Sequence, residues 1–363
     1  MNIIFHHPLP LNFSATSASG IRPVKMLQAF ESLGYNVYLV TGFSSERKEA
    51  IKKIKTLINE GVKFDFVYSE SSTMPTVLTE PHHFPLHPFL DFLFFSFLKK
   101  RGVKIGLFYR DIYWIFNEYG RGLNFFKIKI AKFFYRYDLF CYQRLVNKLY
   151  IPSFKMGNYI PIVDESRFSE LPPGHNAHID SSPISPLINN SIRLLYVGGM
   201  SEHYQMHKAF DSIKQSCDIS FTICTRDNEW KSIRFEYEEL ISDKVLVVHE
   251  SGESLNELYQ QCDIAMLFVK PHEYWKFASP VKLYEYLGKG KPIIATQGTL
   301  AGEFVEENEI GWTIPYSTEK LCSLISYLKN NNKEIEKMKK NCRLVAINHS
   351  WIARASKVAK DLE

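Results

Sequence analysis

Residues 2–41, NIIFHHPLPLNFSATSASGIRPVKMLQAFESLGYNVYLVT, open with a strand-length apolar run and continue into a loop of small residues. Apolar side chains then recur at helical spacing from Val24 to Leu33, and Gly34 follows them, which predicts an amphipathic helix that ends there. Residues 37–41 form a second apolar run. The order strand, loop, helix, strand is typical of a parallel βαβ unit, so an α/β fold is expected.

The second half of the chain repeats this order. Residues 193–197 form an apolar run, Gly198 and Gly199 a turn, and residues 207–216 a helical pattern. Further strand-length runs and helical patterns alternate after them, at residues 219–224, 245–249, 255–261, 264–268, 281–287 and 293–296. We therefore predict two doubly wound, Rossmann-like domains, and the cleft between two such domains is the usual place for a ligand.

A change of composition separates the two halves. Residues 171–187 are rich in Pro, Ser and Gly and have neither helical nor strand periodicity, which is typical of a linker. A chain of 363 residues is also long enough for about two domains. We predict a first domain over residues 1–172, a linker over 173–190 and a second domain over 191–345.

Composition and charge exclude several classes of protein. The 44 basic and 39 acidic residues give a formal net charge of +5, which is too small and too dispersed for nucleic-acid binding. The six cysteines show no CxxC spacing, and the first residues lack the segments of a secretory signal. The apolar run at residues 89–98 is interrupted by Asp91 and is about half as long as a membrane span. These features indicate a cytoplasmic protein with free thiols.

One helix start carries the most chemical information. Residues 277–292, FASPVKLYEYLGKGKP, place Ser279 as an N-cap, Pro280 at the first helical position and Gly288 at the end of the helix. The first N–H groups of a helix have no partner within it and lie at the positive end of the helix dipole. Together they form a binding site for phosphate.

Lys282 and Glu285 extend this site. Lys282 adds a full positive charge in the first turn, and Glu285 lies three positions later on the same face. There its carboxylate could accept hydrogen bonds from two vicinal hydroxyls. Phosphate donors followed by a diol acceptor suit the diphosphate and the ribose of a nucleotide. The alternative is an ordinary amphipathic helix with a Lys–Glu pair on the surface.

Residues 279–296, 194–200 and 20–41 together resemble bacterial glycosyltransferases of the B-type fold, near the large retaining family 4. The resemblance implies transfer of a sugar from a UDP- or GDP-linked donor to a polysaccharide or lipid-linked acceptor in bacterial surface glycan synthesis. It also implies a C-terminal helix at residues 346–363, containing Trp351, that returns to complete the first domain. Neither a cofactor nor a metal ion is expected, and the sequence has no His-x-x-x-His helix or Cys cluster.

The resemblance assigns roles to individual residues of the second domain. Glu285 would bind the ribose of the nucleotide. Gly198 and Gly199 would let the backbone approach the phosphates of the donor, since a glycine turn leaves room for a ligand. The residues implied at the diphosphate are Ser279, Pro280, Val281 and Lys282.

Two positions depart from the pattern of that family. Phe277 stands where a second glutamate would be, and residues 200–206 contain neither Arg nor Lys. Neutralisation of the diphosphate would then fall on Lys282 together with Arg226, Lys208 or Lys270. The resemblance implies Arg226 as a second phosphate or base contact. The alternative for this arginine is a surface salt bridge with Asp227 or Glu229.

In the first domain, the loop at residues 14–20 faces the presumed cleft. Its backbone N–H groups, including those of Ser19 and Gly20, would lie near the transferred sugar or the diphosphate. Arg22 could add positive charge there, and the alternative is an arginine that is solvated at the start of the helix.

Two carboxylates are the catalytic candidates. The catalytic loop of the resembled family follows the strand that ends here near Tyr68, which points to Glu70 as a polar contact or base. Asp111 follows the strand predicted at residues 104–109, and α/β sites collect at the carboxyl ends of strands. It could orient the acceptor hydroxyl and take its proton. Alternatively, Asp111 pairs with Arg110 or caps a helix.

Residues 121–148 interleave seven basic and eight aromatic residues with a single acidic residue, Asp138. Such a helix suits an anionic membrane surface, which predicts a peripheral protein at the cytoplasmic face of the inner membrane. The alternative is a buried helix with a solvated basic edge.

Two other functions remain open. Sugar-nucleotide epimerases share the double fold and need carboxylates and histidines but no acceptor groove. A non-catalytic partner subunit that binds a nucleotide sugar is conceivable because Phe277 replaces the second glutamate.

Overall fold

The computed structural model describes residues 1–15, 17–176, 191–200 and 204–363. The chain forms two compact units. Unit 1 comprises Met1–Pro173 together with Trp351–Glu363, and unit 2 comprises Gly174–Ser350.

The unit boundaries lie close to the predicted segment ends but differ from them in detail. Unit 1 ends at Pro173, and residues 177–190 of the predicted linker lie outside the described residues. The C-terminal part of unit 1 begins at Trp351 and not at residue 346. The reason is that Ala346 is fully buried in unit 2, where its carbonyl oxygen lies 2.8 Å from the Nε2 atom of His175.

Unit 1 is built on a six-stranded parallel sheet. Its strands are β1 (Asn2–His7), β2 (Asn36–Thr41), β3 (Phe66–Glu70), β4 (Lys104–Phe108), β5 (Lys148–Ile151) and β6 (Phe168–Glu170). Its first five helices are α1 (Ala18–Ser32), α2 (Ser44–Asn59), α3 (Leu90–Lys100), α4 (Phe125–Leu145) and α5 (Phe154–Gly157). The strand order β2-β1-β3-β4-β5-β6 reverses between β1 and β3, and the carboxyl ends of strands at such a point are where α/β proteins bind ligands.

Unit 2 contains a second six-stranded parallel sheet. Its strands are β7 (Ile192–Val197), β8 (Ile219–Cys224), β9 (Val245–Val248), β10 (Ile264–Leu267), β11 (Ile293–Thr296) and β12 (Gly311–Ile314). Its helices are α6 (His207–Gln215), α7 (Asp227–Ile233), α8 (Ser254–Gln261), α9 (Val281–Gly288), α10 (Leu300–Glu307), α11 (Thr318–Asn330) and α12 (Asn332–Ala346). The order β12-β11-β10-β7-β8-β9 reverses between β10 and β7, the arrangement of a dinucleotide-binding fold.

The prediction of an α/β protein with two doubly wound sheets is confirmed. Strands β3, β10 and β11 are buried along their whole length, as parallel strands covered on both faces must be. The sequences of β10 and β11 are accordingly short, almost entirely apolar runs without alternation, which is why they could be recognised from the sequence. Strand β3 begins in the same way but ends in Ser69 and Glu70.

The last helix, α13 (Trp351–Leu362), belongs to the core of unit 1. Its buried side chains recur every three or four residues, so one face of the helix packs against Phe5, Tyr68 and Tyr150. Gly106 of β4 permits this contact, because a Cβ atom there would lie 2.8 Å from a methyl group of Leu362. The buried apolar positions of α13 are Trp351, Ala355, Val358, Ala359 and Leu362.

Candidate functional site

The start of α9 differs by one position from the sequence prediction. The helix begins at Val281, and Pro280, with ψ of 136°, is the extended residue that precedes it. Ser279 is therefore not the N-cap, and its hydroxyl lies 3.1 Å from the hydroxyl of Tyr284. No side chain of the described residues caps α9. The N–H of Leu283 donates to the carbonyl oxygen of Pro280 at 3.2 Å, and the N–H groups of Val281 and Lys282 before it are left for a ligand.

Lys282, in the first turn of α9, is held by aromatic residues. Its Nζ atom donates a hydrogen bond of 2.7 Å to the hydroxyl oxygen of Tyr196 and lies 3.9 Å from the ring centroid of Tyr204. Burial lowers the pKa of Lys282 to about 7, although Glu285 and Glu229 favour its charged form. A lysine in this setting gains a full charge when an anion arrives.

The glycine turn after β7 lies directly against Lys282. Gly198 has a φ of 149°, and a Cβ atom at this position would overlap the Lys282 side chain. A Cβ atom on Gly199 would lie 2.9 Å from Oε2 of Glu229, which also accepts the backbone N–H of Met200 at 3.1 Å. The fold thus brings together Gly198, Gly199 and Lys282, which are far apart in sequence.

Arg226 lies at the start of α7, with its side chain about half exposed. Its Nη1 atom forms an ion pair with Oε1 of Glu229. The surface salt bridge that the sequence left open is therefore present. Because Glu229 also binds the backbone of Met200, Arg226 is tied to the end of the glycine turn.

Glu285 lies one helical turn after Lys282 and is half-buried. Burial raises the pKa of its carboxyl group, while Lys282 and Lys289 oppose that shift. Across the described residues, no hydrogen bond to this carboxylate is formed, so its oxygens can accept hydrogen bonds from a ligand.

In unit 1 the structure joins Glu70 and Arg22 in one buried cluster. The Nε atom of Arg22 lies 3.3 Å from Oε1 of Glu70, and Nη2 of Arg110 lies 3.0 Å from Oε2. The hydroxyl of Tyr68 donates a hydrogen bond of 2.8 Å to Oε1. Glu70 is 0% exposed, so its carboxylate serves internal partners and no oxygen reaches the surface.

The burial of Arg22 was not expected from its position at a helix start. Only 3% of the residue is exposed, and its guanidinium carbon lies 3.4 Å from the ring centroid of Phe108. The described part of the chain supplies no hydrogen-bond partner to its guanidinium nitrogens. The alternative interpretation of Arg22 as a solvated arginine is therefore wrong.

The small-residue loop is shorter than predicted. Helix α1 begins at Ala18, which places Ser19, Gly20 and Arg22 within the helix and not before it. The reason is that Ser17, in extended conformation, starts the turn by accepting the backbone N–H of Gly20 at 3.0 Å. Thr16, within the predicted loop, lies outside the described residues.

Asp111 is half-buried after the carboxyl end of β4. Its Oδ1 atom accepts the backbone N–H of Tyr113 at 2.9 Å, which closes a turn just before the short 3-10 helix Tyr113–Ile115. The N-cap of that helix is Ile112, so Asp111 is not the helix cap that the sequence left open. Burial raises the pKa of this carboxyl group, whereas the N–H groups of Tyr113 and Ile112 and the charge of Arg110 oppose the rise.

Sequence reasoning missed a polar network beside the Glu70 cluster. The two ring nitrogens of His6 lie 2.8 Å from the hydroxyl of Ser69 and 2.9 Å from Oδ1 of Asp91. Asp91 also accepts two hydrogen bonds, of 2.8 and 2.9 Å, from the guanidinium of Arg47. The available signal was a carboxylate inside an apolar run, since buried charges are normally paired.

Comparison with known proteins agrees with this architecture. Residues 180–345 match the family described as Glycosyl transferases group 1, whereas no curated protein matches the chain. The UDP complex of HepE from Anabaena is similar over 100% of this chain and 99% of that one, with a TM-score of 0.67 and 13% identity. A glycosyltransferase from Rickettsia africae covers 99% and 98%, with a TM-score of 0.66 and 16% identity.

An epimerase also shares the fold. A putative UDP-N-acetylglucosamine 2-epimerase from Listeria monocytogenes covers 98% of this chain and 94% of that one, with a TM-score of 0.53 and 11% identity. The fold alone does not separate the two activities. Residues 180–345, which match the family Glycosyl transferases group 1, lie within unit 2, and the two doubly wound sheets give the chain the B-type fold of its structural neighbours.

Proposed function

We propose that the protein transfers a sugar from a UDP- or GDP-linked donor, bound by unit 2, to a lipid-linked or polysaccharide acceptor of the bacterial surface, bound by unit 1. One observation carries the proposal. Lys282 lies over the Gly198–Gly199 turn at the uncapped start of α9, and Glu285 follows one turn later with a carboxylate that is available to a ligand.

The donor site follows from these groups. The N–H groups of α9 and the Lys282 ammonium would bind the diphosphate, and the Glu285 carboxylate would accept hydrogen bonds from the ribose hydroxyls. The complex of HepE with UDP supports this choice of ligand, because that protein has the same fold. The helix dipole and Lys282 also stabilise the leaving diphosphate, so the proposed reaction requires no divalent cation.

The proposed reaction retains the configuration at the anomeric carbon. The bond between this carbon and the diphosphate breaks, the acceptor oxygen forms a bond to the carbon from the same face, and the leaving diphosphate takes the acceptor proton. Asp111 would orient the acceptor hydroxyl. Glu70 is enclosed by Arg22 and Arg110, and this placement favours a structural role over that of a base.

A direct test combines ligand binding with turnover. UDP or GDP is expected to raise the melting temperature of the wild-type protein, and the matching sugar nucleotide should label a lipid or glycan acceptor in bacterial membranes. Glu285→Ala should weaken binding of the nucleotide, whereas Asp111→Asn should bind the donor normally and lose transfer. Interconversion of the sugar nucleotide without an acceptor would establish an epimerase instead. Binding without turnover would indicate a partner subunit.

The membrane proposal rests on the outer face of α4. Its exposed apolar side chains are between 46% and 72% exposed, and Lys129 and Arg144 lie over the rings of Phe125 and Phe140. Leu139 and Tyr142 point into unit 1, so a buried helix with a basic edge accounts only for the inner face. The exposed apolar residues of α4 are Phe125, Phe126, Ile130, Phe133 and Phe140.

No helix within the described ranges is long and apolar enough to span a bilayer. We propose that the outer face of α4 binds the surface of an anionic membrane, where a polyprenyl-linked acceptor would lie. Basic and aromatic side chains combine electrostatic attraction with partial insertion of the rings.

Replacement of Phe126 and Phe133 by Asp is expected to lower binding to phosphatidylglycerol vesicles by at least about 10-fold, since burial of one Phe contributes roughly 1.5–3 kcal/mol. Flotation with vesicles of phosphatidylglycerol and of phosphatidylcholine measures the effect. Phe235→Asp is the matched control, because Phe235 is 67% exposed on unit 2. Equal flotation of the double variant and the wild type would remove α4 from the membrane contact.

A further inference from the structure

Tyr196 is a buried tyrosine whose hydroxyl group both accepts and donates a hydrogen bond. The residue is 0% exposed and lies next to the last position of β7. Its oxygen accepts the hydrogen bond from Lys282 Nζ, and its O–H donates a hydrogen bond of 2.7 Å to the carbonyl oxygen of Gly199. One hydroxyl therefore links α9 to the glycine turn.

The Lys282 ammonium has few other contacts. Of its three N–H donors, one is used by Tyr196, and no carboxylate of the described residues forms an ion pair with it. The ring of Tyr204 lies beneath it, and Trp275 packs against that ring with centroids 4.8 Å apart. Without the Tyr196 hydroxyl, only the ring faces of Tyr196 and Tyr204 would hold the ammonium in place.

The positive charge of Lys282 lies far along the sequence from the glycine turn that it covers. Residues 200–206, which follow the glycine turn, contain neither Lys nor Arg. The cation over the turn comes instead from α9, 84 positions after Gly198 in the numbering. Its placement therefore depends on a tertiary contact and not on the local sequence.

We propose that Tyr196 is a positioning residue for the donor diphosphate: it holds the Lys282 ammonium over the Gly198–Gly199 turn and directs the two remaining N–H donors to the phosphates. The inference rests on the proposed function. It adds to that function a residue that touches no ligand and acts through Lys282.

The arrangement predicts how binding depends on pH. Burial lowers the pKa of Lys282 to about 7; Glu285 of α9 and Glu229 of α7 raise it, and Arg226 lowers it. Only the ammonium form attracts a diphosphate, so affinity is highest below this pKa and falls as the pH rises through it. A hydrogen-bond acceptor favours the charged form, and loss of the Tyr196 hydroxyl should move this fall to lower pH.

The experiment compares Tyr196→Phe with the wild type by calorimetric titration between pH 5.5 and about pH 9, using UDP-glucose and GDP-mannose, with uridine and guanosine as phosphate-free references. In a sugar nucleotide both phosphates are esterified twice and do not titrate near neutrality, unlike a terminal phosphate, whose second pKa is about 6. Tyr237→Phe is the control, because its buried hydroxyl accepts the backbone N–H of Met206 at 3.1 Å and does not contact Lys282.

For the sugar nucleotide that the wild type binds, Tyr196→Phe is expected to lose about 10-fold in affinity at pH 7, as for one hydrogen bond to a charged group. The affinity of Tyr196→Phe for the nucleoside should stay within about twofold of the wild type. Its affinity for the sugar nucleotide should begin to fall at a lower pH than in the wild type and in Tyr237→Phe. An unchanged pH profile, or equal losses for sugar nucleotide and nucleoside, would overturn the role of Tyr196 alone. If the wild type binds neither sugar nucleotide, the proposed function itself fails.

Discussion

Lys282→Met is expected to lower the affinity for a nucleoside diphosphate by about 100-fold and to leave the affinity for the nucleoside within about twofold. Two unit charges 4 Å apart interact by about 4 kcal/mol at an effective dielectric constant of about 20, and part of this is offset by dehydration of the ammonium. Methionine fills the space over Gly198 that a lysine stem occupies, so the turn should keep its shape. Titration with UDP, uridine, GDP and guanosine measures both affinities.

Lys289→Met is the matched control for this prediction. Lys289 follows the same helix, but its Nζ atom lies at the opposite end and donates a hydrogen bond of 2.8 Å to Asn256. It should leave diphosphate binding nearly unchanged. Equal weakening of UDP and uridine by Lys282→Met would remove Lys282 from the phosphate site.

Glu70→Gln is expected to destabilise the protein by about 3–5 kcal/mol, because it leaves two buried guanidinium groups without their counter-charge. Arg22 is 3% exposed and the side chain of Arg110 10%, so water cannot compensate. Glutamine still accepts the hydrogen bond from Tyr68, which isolates the loss of charge. The free energy of unfolding in urea measures the effect.

Asp138→Asn is the contrasting variant. Asp138 is also buried, but no cation pairs with it in the described chain, and burial raises its pKa to about 7. The folded state disfavours the charged form of this carboxyl group. The free energy of unfolding therefore falls as the pH rises from the pKa of the unfolded chain to about 7. Asparagine resembles the protonated acid, so Asp138→Asn should leave stability unchanged or raise it at pH 8.

The outcome that would contradict the structural role of Glu70 is a Glu70→Gln variant that is as stable as the wild type but inactive. That result would return Glu70 to a catalytic role.

Much of the fold could be read from local sequence. Strands such as β10 and β11 are covered on both faces, so they appear as continuous apolar runs, and amphipathic helices between them predict parallel crossovers. The start of α9 was located within one residue, because Ser and Pro mark helix starts through their own backbone preferences. The difference arose because Pro280 fits both the first helical position and the extended position before it.

The partners of buried charges could not be read in this way. Arg22 looked like a solvated residue, since a helix start is usually exposed, but Phe108 and Glu70 close over it from strands far along the chain. His6 and Asp91 are 85 positions apart, and nothing in the sequence pairs them. A residue pattern has no information about which distant side chains a sheet order places side by side.

The sequence by itself determined the two doubly wound sheets and the helix start that carries Lys282 and Glu285, because burial periodicity and capping preferences act over a few residues. The tertiary structure decided how those groups are used. Only the packing of α9 against β7 places the Tyr196 hydroxyl under the Lys282 ammonium and makes glycine the one residue type that fits at position 198. The reason is that contact and burial depend on which distant strands and helices become neighbours.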